Sequence, residues 1–261
     1  MKNFILAWIL LMAWGVVKTP WEHRMQAHLQ RLQHGIFVPL SREMRSQLGQ
    51  GLALASLGGF RGLAANFIWL KVTESWEKIE WVRLREFAEM ATLLQPRVPF
   101  FWEMGAWHMA WNASASSENF QKNSSSLKNK IEARRWIDAG KNFLERGLQT
   151  VPDDAYLFLR MGDLYWQKLD DPKTAALYYI EAAKRPNALP FVERYAGVAL
   201  EKAGEDRMAY EYYIKLWRER NNPHALHPRF KERNSTLERQ IRKFEKKLQI
   251  PISERIFSLD A

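Results

Sequence analysis

A short pattern recurs in this chain and constrains its fold more than any other feature. Residues 101–105, Phe-Trp-Glu-Met-Gly, return as residues 158–162, Phe-Leu-Arg-Met-Gly. Each copy is followed by a second helical pattern that ends near a proline, Pro152 in the first case and Pro186 in the second. The spacing of these prolines matches a period of about 34 residues, which is typical of stacked helical hairpins that bury their apolar faces against their neighbours.

Composition excludes several classes of protein. With 47% hydrophobic and 13% aromatic residues, the 261-residue chain has enough apolar side chains to form a core and is not a disordered protein. Twelve tryptophans, several at helical spacing, are interpreted as side chains that fill gaps between helices. Because the chain has no cysteine, it has no disulfides, no thiolate metal site and no cysteine nucleophile.

The amino terminus carries a membrane signal. After a short cationic start, Phe4–Val17 runs without a charge and would span about 21 Å as a helix, less than the roughly 30 Å of a bilayer core. Residues 1–18 are therefore predicted to be a signal anchor or, alternatively, a signal peptide cleaved near Ala13-Trp14-Gly15. In either case we expect the body to be extracytoplasmic, in the periplasm at a bacterial inner membrane, although Lys18, Arg24 and Arg31 oppose the positive-inside rule.

Residues 19–64 are predicted to form stalk and packing helices. Thr19-Pro20-Trp21-Glu22 is a capping box that starts a helix, and Met25, Leu29 and Leu32 give this helix an apolar stripe that ends at Gly35. A second helix is expected from Ser41.

The mostly apolar segment Leu52–Leu70 raises the question of a second membrane span. Arg61 near its centre would cost about 2.5 to 3.5 kcal/mol on insertion, so a buried helix in the folded body is the favoured interpretation.

Residues 65–223 have room for a series of hairpins. The first occupies residues 65–96 and the second begins at Phe101. Residues 112–130 are rich in Ser, Asn and Lys and are predicted to be an inserted loop. Gly105 and Gly162 lie further apart in the chain than Pro152 and Pro186 do. The difference between these two spacings is slightly larger than the length of the segment, so an insertion of this size accounts for it.

The hairpin segment resembles the tetratricopeptide repeat (TPR) family. That family places a large residue, an apolar residue, glycine and an aromatic residue on its first helix, and alanine, an aromatic residue and alanine on its second. Two segments match well and two are degraded, and one matched segment needs an additional residue in its turn. The matching repeat positions are Phe101, Met104, Gly105, Ala139, Phe143, Phe158, Met161, Gly162, Tyr165, Ala175, Tyr179, Ala182, Gly197, Ala209 and Tyr213.

The resemblance implies an all-α, TPR-like solenoid whose concave groove binds a protein or peptide partner. First helices line this groove in the family. The positions that carry over are Trp102, Met109, Tyr156, Asp163, Trp166, Arg194 and Glu201. Residues 224–261 are expected to supply a basic capping helix and tail, with Leu237, Ile241, Phe244 and Leu248 on one apolar face.

The function expected from the sequence is a non-enzymatic scaffold for assembly of an envelope complex. No nucleophile elbow, zinc-protease helix or nucleotide fingerprint is present, so no cofactor, metal or catalytic residue is predicted. The partner is expected to be a membrane-associated protein or peptide rather than nucleic acid.

Two alternatives stay open. Arg218–Lys247 contains ten Lys or Arg against four Asp or Glu, within a chain of net charge +10, and would suit a binder of anionic membrane or polyanion. An enzyme whose site is assembled across the fold is the other alternative, because such a site leaves no linear pattern.

Overall fold

A computed structural model describes residues 60–119, 126–221 and 234–257 of the chain, and this part is all-α. The chain divides into two compact units, Met1–Val151 (unit 1) and Pro152–Ala261 (unit 2). The predicted membrane segment and stalk helix at residues 1–35 lie outside the described residues. The predicted boundary between stalk and repeats at residue 64 falls inside the first described helix.

Unit 1 consists of helices that pack in chain order. They are α1 (Arg61–Glu77), α2 (Trp81–Leu94), α3 (Pro99–Trp107), a π-helix (His108–Ala113), α4 (Ser114–Asn119) and α5 (Ser126–Thr150). Helix α1 packs on α2, and α2 packs on α3. The run from α3 through the π-helix to α4 forms one helical arm, and α5 returns along all of it.

The predicted inserted loop at residues 112–130 is corrected by this arrangement. Its described residues, 112–119 and 126–130, are helical and lengthen both arms of the second hairpin. Ala113 in this segment and Ala133 just beyond it are buried because the π-helix and α4 pack against α5. The serines fit a helix because their hydroxyls donate to backbone carbonyls one turn back, from Ser114 to Ala110 at 2.6 Å and from Ser117 to Ala113 at 2.8 Å.

Unit 2 also packs its helices in chain order. They are α6 (Ala155–Gln167), α7 (Pro172–Ala183), α8 (Val192–Lys202), α9 (Asp206–Asn221), α10 (Asn234–Lys247) and a 3₁₀ turn (Ile252–Glu254). Each helix packs on the next, from α6 on α7 to α9 on α10. The apolar face predicted for the last helix is buried, with Leu237, Ile241 and Phe244 each at most 4% exposed. Helix α10 therefore covers the last hairpin of this unit.

Aspartates begin the first two helices of unit 2. The carboxylate of Asp154 accepts from the backbone N–H of Leu157 at 3.0 Å, and that of Asp171 accepts from Thr174 at 2.9 Å. These bonds satisfy backbone donors that have no partner inside a helix, and Pro172 fits the first turn because it has no N–H to satisfy. The pairs Asp153-Asp154 and Asp170-Asp171 are typical of helix starts in sequence, and in each pair the second aspartate is the cap.

One contact recurs in three hairpins and explains the repeated glycine. A Cβ built at Gly162 would overlap the ring of Tyr179, and one at Gly197 would overlap the ring of Tyr213. In unit 1 a Cβ at Gly105 would lie 2.8 Å from the Phe143 ring. Each glycine on a first helix thus leaves the space that an aromatic ring of the second helix fills. These packed pairs are compatible with a helical repeat fold.

Unit 1 departs from the predicted repeat positions where α5 crosses α3 and the π-helix. Ala139, the small residue expected there, is only partly buried. The neighbouring Gly140 is buried instead, and a Cβ on it would lie 2.8 Å from both the Ala106 carbonyl and the Ala110 methyl. The small residue that the crossing requires therefore stands one position later than predicted.

Helix α1 is half-buried rather than fully buried as the sequence suggested. Ala65, Ile68 and Val72 face α2 and are at most 5% exposed, whereas Leu63, Phe67 and Leu70 are more than half exposed. No helix in the described part of the chain is long and apolar enough to cross a membrane.

Candidate functional site

An open groove of about 620 Å³ lies in unit 1, between the α1–α2 turn and the α4–α5 end of the second hairpin. Ile79, Trp81 and Val82 form the first wall. Trp136 lies on the opposite wall, where Ser116 and Ser117 of α4 join Lys128, Asn129 and Glu132 of α5. Its size falls within the range of natural ligand pockets, roughly 300 to 1,000 Å³.

The first wall depends on an unusual turn at the end of α1. The N–H of Ile79 donates to Trp76 at 3.1 Å and that of Glu80 to Ser75 at 2.8 Å, the hydrogen-bond pattern of a Schellman motif. Ile79 takes the left-handed position of this motif with φ of 61°, where glycine is the usual residue. A β-branched side chain is strained there, and such strain is concentrated at functional sites.

Burial of the Ile79 side chain does not compensate for this strain, because the residue is 52% exposed. Its neighbour on the wall, Val82, is 65% exposed. Glycine at position 79 would build the same turn without the strain, but it would remove an apolar side chain from the groove. The turn therefore presents apolar surface to solvent at the expense of stability, as expected of a surface that contacts a ligand.

The second wall exists because the second hairpin is longer than its neighbours. Residues 112–119 and 126–130 extend its two arms, and these extensions carry Ser116, Ser117, Lys128 and Asn129 to the groove. A π-helix, His108–Ala113, precedes the extension. Such π-helical insertions inside α-helices are frequent at functional sites.

The groove combines apolar side chains on both walls with polar groups at its edge. Arg83 and Glu80 form an exposed ion pair at 3.0 Å on one side, and Arg135 pairs with Glu132 at 3.1 Å on the other. The indole N–H of Trp81 is buried and has no hydrogen-bond partner among the described residues. Apolar walls with polar groups at their edge fit a ligand that has an apolar anchor side chain flanked by polar backbone groups. Because charges of both signs lie at the edge, the groove favours neither anionic nor cationic ligands.

The described residues contain no group of three or more His, Cys, Asp or Glu side chains that could hold a metal. His108 is buried between Trp76 and Trp107, at ring distances of 5.7 and 5.4 Å, and its Nδ1 lies 3.0 Å from the Asn112 amide nitrogen. Burial lowers the pKa of His108 to about 4, so the ring is neutral at pH 7. The remaining histidines lie outside the described residues.

Three of the seven predicted groove residues lie in the interior. Trp102 is 5% exposed, packs on Phe143 and donates to the Pro96 carbonyl at 2.8 Å; Met109 is fully buried. Asp163 is 8% exposed and accepts from Tyr179 Oη at 2.9 Å. These side chains pack inside their own units, which corrects their assignment as accessible groove residues.

The other four predicted residues are at least partly exposed, and all lie in unit 2. Arg194 is exposed and Tyr156 is 38% exposed. Trp166 packs against the core of the unit. Glu201 is partly buried and accepts from Tyr213 Oη at 3.0 Å and from Lys243 Nζ at 2.6 Å. Glu201 therefore has a structural partner on each side.

Ion pairs with residues outside the segment neutralise part of the positive charge of residues 218–247. Arg220 pairs with Glu193 at 3.0 Å, Lys243 with Glu201 at 2.6 Å and Lys247 with Asp206 at 2.6 Å. All three acids lie outside residues 218–247, whereas one acid of the segment, Glu219, pairs at 3.7 Å with Lys215 outside it, so these ion pairs offset two of the six surplus charges. A surface that binds polyanions is weakened accordingly.

Comparison of the chain with protein-family models, with curated proteins and with solved structures finds no match in any of the three.

Sequence reasoning missed the groove because its walls are distant in the chain. Val82 belongs to the first hairpin and Trp136 to the second, and the two meet only through the lengthened arms of that second hairpin. The available signal was the Trp-Glu-Lys-Ile-Glu-Trp-Val segment at residues 76–82, which ends a helix with isoleucine where glycine is usual.

Proposed function

We propose that this protein is a non-enzymatic, TPR-like scaffold that binds an apolar side chain of a protein or peptide partner in the groove of unit 1. The observation that carries the proposal is the groove itself, with Ile79, Trp81, Val82 and Trp136 on opposite walls and Ile79 held in a strained conformation. A pocket of this size accepts one or two bulky apolar residues and leaves the rest of a peptide at its edge.

A peptide fits this site better than a metabolite for a physical reason. Serine hydroxyls, an asparagine amide and two ion pairs lie beside the apolar side chains of the walls, and such groups can bond to peptide N–H and C=O groups. An apolar centre with a polar edge is also the general anatomy of a protein interface.

Selection of displayed random peptides on the purified full chain in lipid nanodiscs tests this proposal. We expect enriched peptides to share a large apolar or aromatic residue. Val82→Lys should abolish their binding because it places a charge on the wall. The control is Val198→Lys, which alters a valine that is 48% exposed in unit 2 and should leave binding unchanged. Peptides that bind the Val82→Lys chain undiminished would refute the groove assignment.

The salt dependence of binding separates this proposal from a cationic surface. Anchor binding in an apolar groove should change little between roughly 50 and 200 mM salt, whereas contacts to several phosphates would weaken by orders of magnitude. The three ion pairs on Arg220, Lys243 and Lys247 favour the first outcome.

The proposed location is a bacterial inner membrane, with Phe4–Val17 as anchor and the body in the periplasm for assembly of an envelope complex. Support comes from the uncharged run of this segment and the cationic residue before it. A reporter active only outside the cytoplasm, fused to Ala261, should be active. Activity of a cytoplasmic reporter at the same position would refute this orientation.

A further inference from the structure

Helix α1 carries an exposed apolar stripe on the face opposite its buried one. Phe60, Leu63, Phe67 and Leu70 follow helical spacing and are 49 to 63% exposed. Ala65, Ile68 and Val72 contact α2 from the other side. A helix that is apolar on two faces is normally covered on both of them.

The stripe is confined to the first half of α1. Further along the same face, Thr73, Glu74 and Glu77 are polar, and Glu74 pairs with Lys71 at 2.7 Å and with Lys78 at 2.6 Å. The apolar part is therefore about ten residues long, or roughly 15 Å, and it begins where residues 1–59 enter the helix. Its position favours an occupant that reaches the helix from this side.

Unit 2 shows what a covered terminal hairpin looks like in this chain. Helix α10 lays Leu237, Ile241 and Phe244 on its neighbours and turns Glu238, Arg242 and Lys246 away from the core. Terminal hairpins of helical arrays need such a cap with a polar outer side. Helix α1 begins the described part of unit 1, and no described helix covers its apolar stripe.

We propose that residues 19–35 of the same chain cap α1 by placing Met25, Leu29 and Leu32 on this stripe. These three residues recur at helical spacing over about 10 Å of helix, which fits within the roughly 15 Å of the apolar half of α1. Their neighbours on the remaining faces are mainly polar, as the outer side of a cap requires. Because only the short stretch 36–59 joins the segment to the helix, the segment is held near the stripe at high effective concentration.

The inference does not depend on ligand binding in the groove, which lies at the other end of α1. It predicts that the chain between the membrane segment and the body contributes to the fold of unit 1.

Cross-linking of the full chain in native membranes tests the proposal cleanly, since the chain has no cysteine of its own. Leu29→Cys combined with Phe67→Cys should give an intramolecular product with a short bismaleimide, identified as one peptide pair by mass spectrometry. Met25→Cys and Leu32→Cys, each combined with Phe67→Cys, allow for a shift of one helical turn. The control pair is Leu29→Cys with Val82→Cys, which should not react.

The accessibility of the stripe provides a second measurement. It uses a single cysteine and therefore does not depend on choosing two residues that face each other. With Phe67→Cys alone, a water-soluble maleimide should react at least about tenfold more slowly than with Val82→Cys, because the cap must open first. Equal rates at the two positions, or no intramolecular product from any of the three pairs, would overturn the proposal. So would a Phe67–Phe67 product between two copies, or contact of Phe67→Cys with a lipid-confined probe.

Discussion

Units 1 and 2 build their hairpins on the same contact but complete it differently. In unit 2 the ring that fills the glycine gap is a tyrosine, and its hydroxyl reaches a carboxylate, from Tyr179 to Asp163 and from Tyr213 to Glu201. In unit 1 the ring is Phe143, which has no hydroxyl. There the polar link is an ion pair between Arg146 of α5 and Glu89 of α2.

The two units also differ in the regularity of their helices and turns. Unit 2 keeps short hairpins, aspartate caps and a covering helix, and its two left-handed residues other than glycine, Asp170 and Gln249 with φ of 50° and 54°, are not β-branched. Unit 1 departs from regularity with a π-helix, a lengthened hairpin and a strained Ile79, and these departures form the walls of the groove or lead into them. Local departures from an otherwise consistent fold are expected at functional sites.

Removal of Arg146 should produce the largest effect, and it should act in unit 1. Its guanidinium donates to Glu89 at 2.7 Å and lies over the Trp102 and Phe143 rings, while Glu89 is only 7% exposed. Arg146→Met leaves a buried carboxylate without its cation and should lower the free energy of unfolding by about 3 to 5 kcal/mol. Urea denaturation measures this loss.

The double variant Arg146→Met with Glu89→Leu is the matched control for that ion pair. Because it removes both charges, it should recover most of the lost stability. A double variant as unstable as Arg146→Met would show that the cation–π packing of Arg146, and not the ion pair, links α2 to α5.

Gly162→Leu tests the glycine–aromatic contact in unit 2. The new Cβ would overlap the Tyr179 ring, and overpacking of this kind costs about 3 kcal/mol. Thermal or urea melts should show the loss, and Gly162→Leu with Tyr179→Ala should relieve part of it. An unchanged melting temperature for the single variant would contradict the close contact between Gly162 and the Tyr179 ring.

Part of this contrast was predictable from sequence. The recurrence of Gly105 and Gly162 identified the hairpins, and Asp154 and Asp171 marked helix starts, because caps and helical periods are local properties. The groove was not predictable, since Ile79 and Trp136 meet through tertiary packing. Burial of Trp102 and Asp163 depends likewise on contacts with Phe143 and Tyr179 that no linear pattern encodes.

Acid should destabilise unit 1 through His108. Its pKa is about 4 when folded and about 6.5 when unfolded, so unfolding takes up a proton below pH 6.5. The stability that the neutral ring contributes is therefore complete above pH 6.5 and is lost as the pH falls toward 4. At pH 5 the loss should be about 2 kcal/mol. His108→Phe should show a smaller decrease than the parent chain when urea midpoints at pH 7 and pH 5 are compared.

The smallest effect compares one turn position in the two units. Ile79 and Gly204 both follow a helix in a left-handed conformation, with φ of 61° and 72°. Ile79→Gly should raise the free energy of unfolding by about 1 kcal/mol while weakening ligand binding in the groove. Gly204→Ile, which meets open space in unit 2, should lower it by about the same amount. Destabilisation by Ile79→Gly would contradict the proposed strain.

Photo-cross-linking in cells most directly tests the claim that the partner binds at unit 1. A photoreactive amino acid replaces Val82, on the wall of the groove, or Val198, which shares a face of α8 with the predicted groove residue Arg194. We predict a specific adduct from position 82 that Trp136→Ala abolishes, and no adduct from position 198. An adduct from position 198 alone would place the binding surface on unit 2 and contradict binding of the partner in the groove of unit 1.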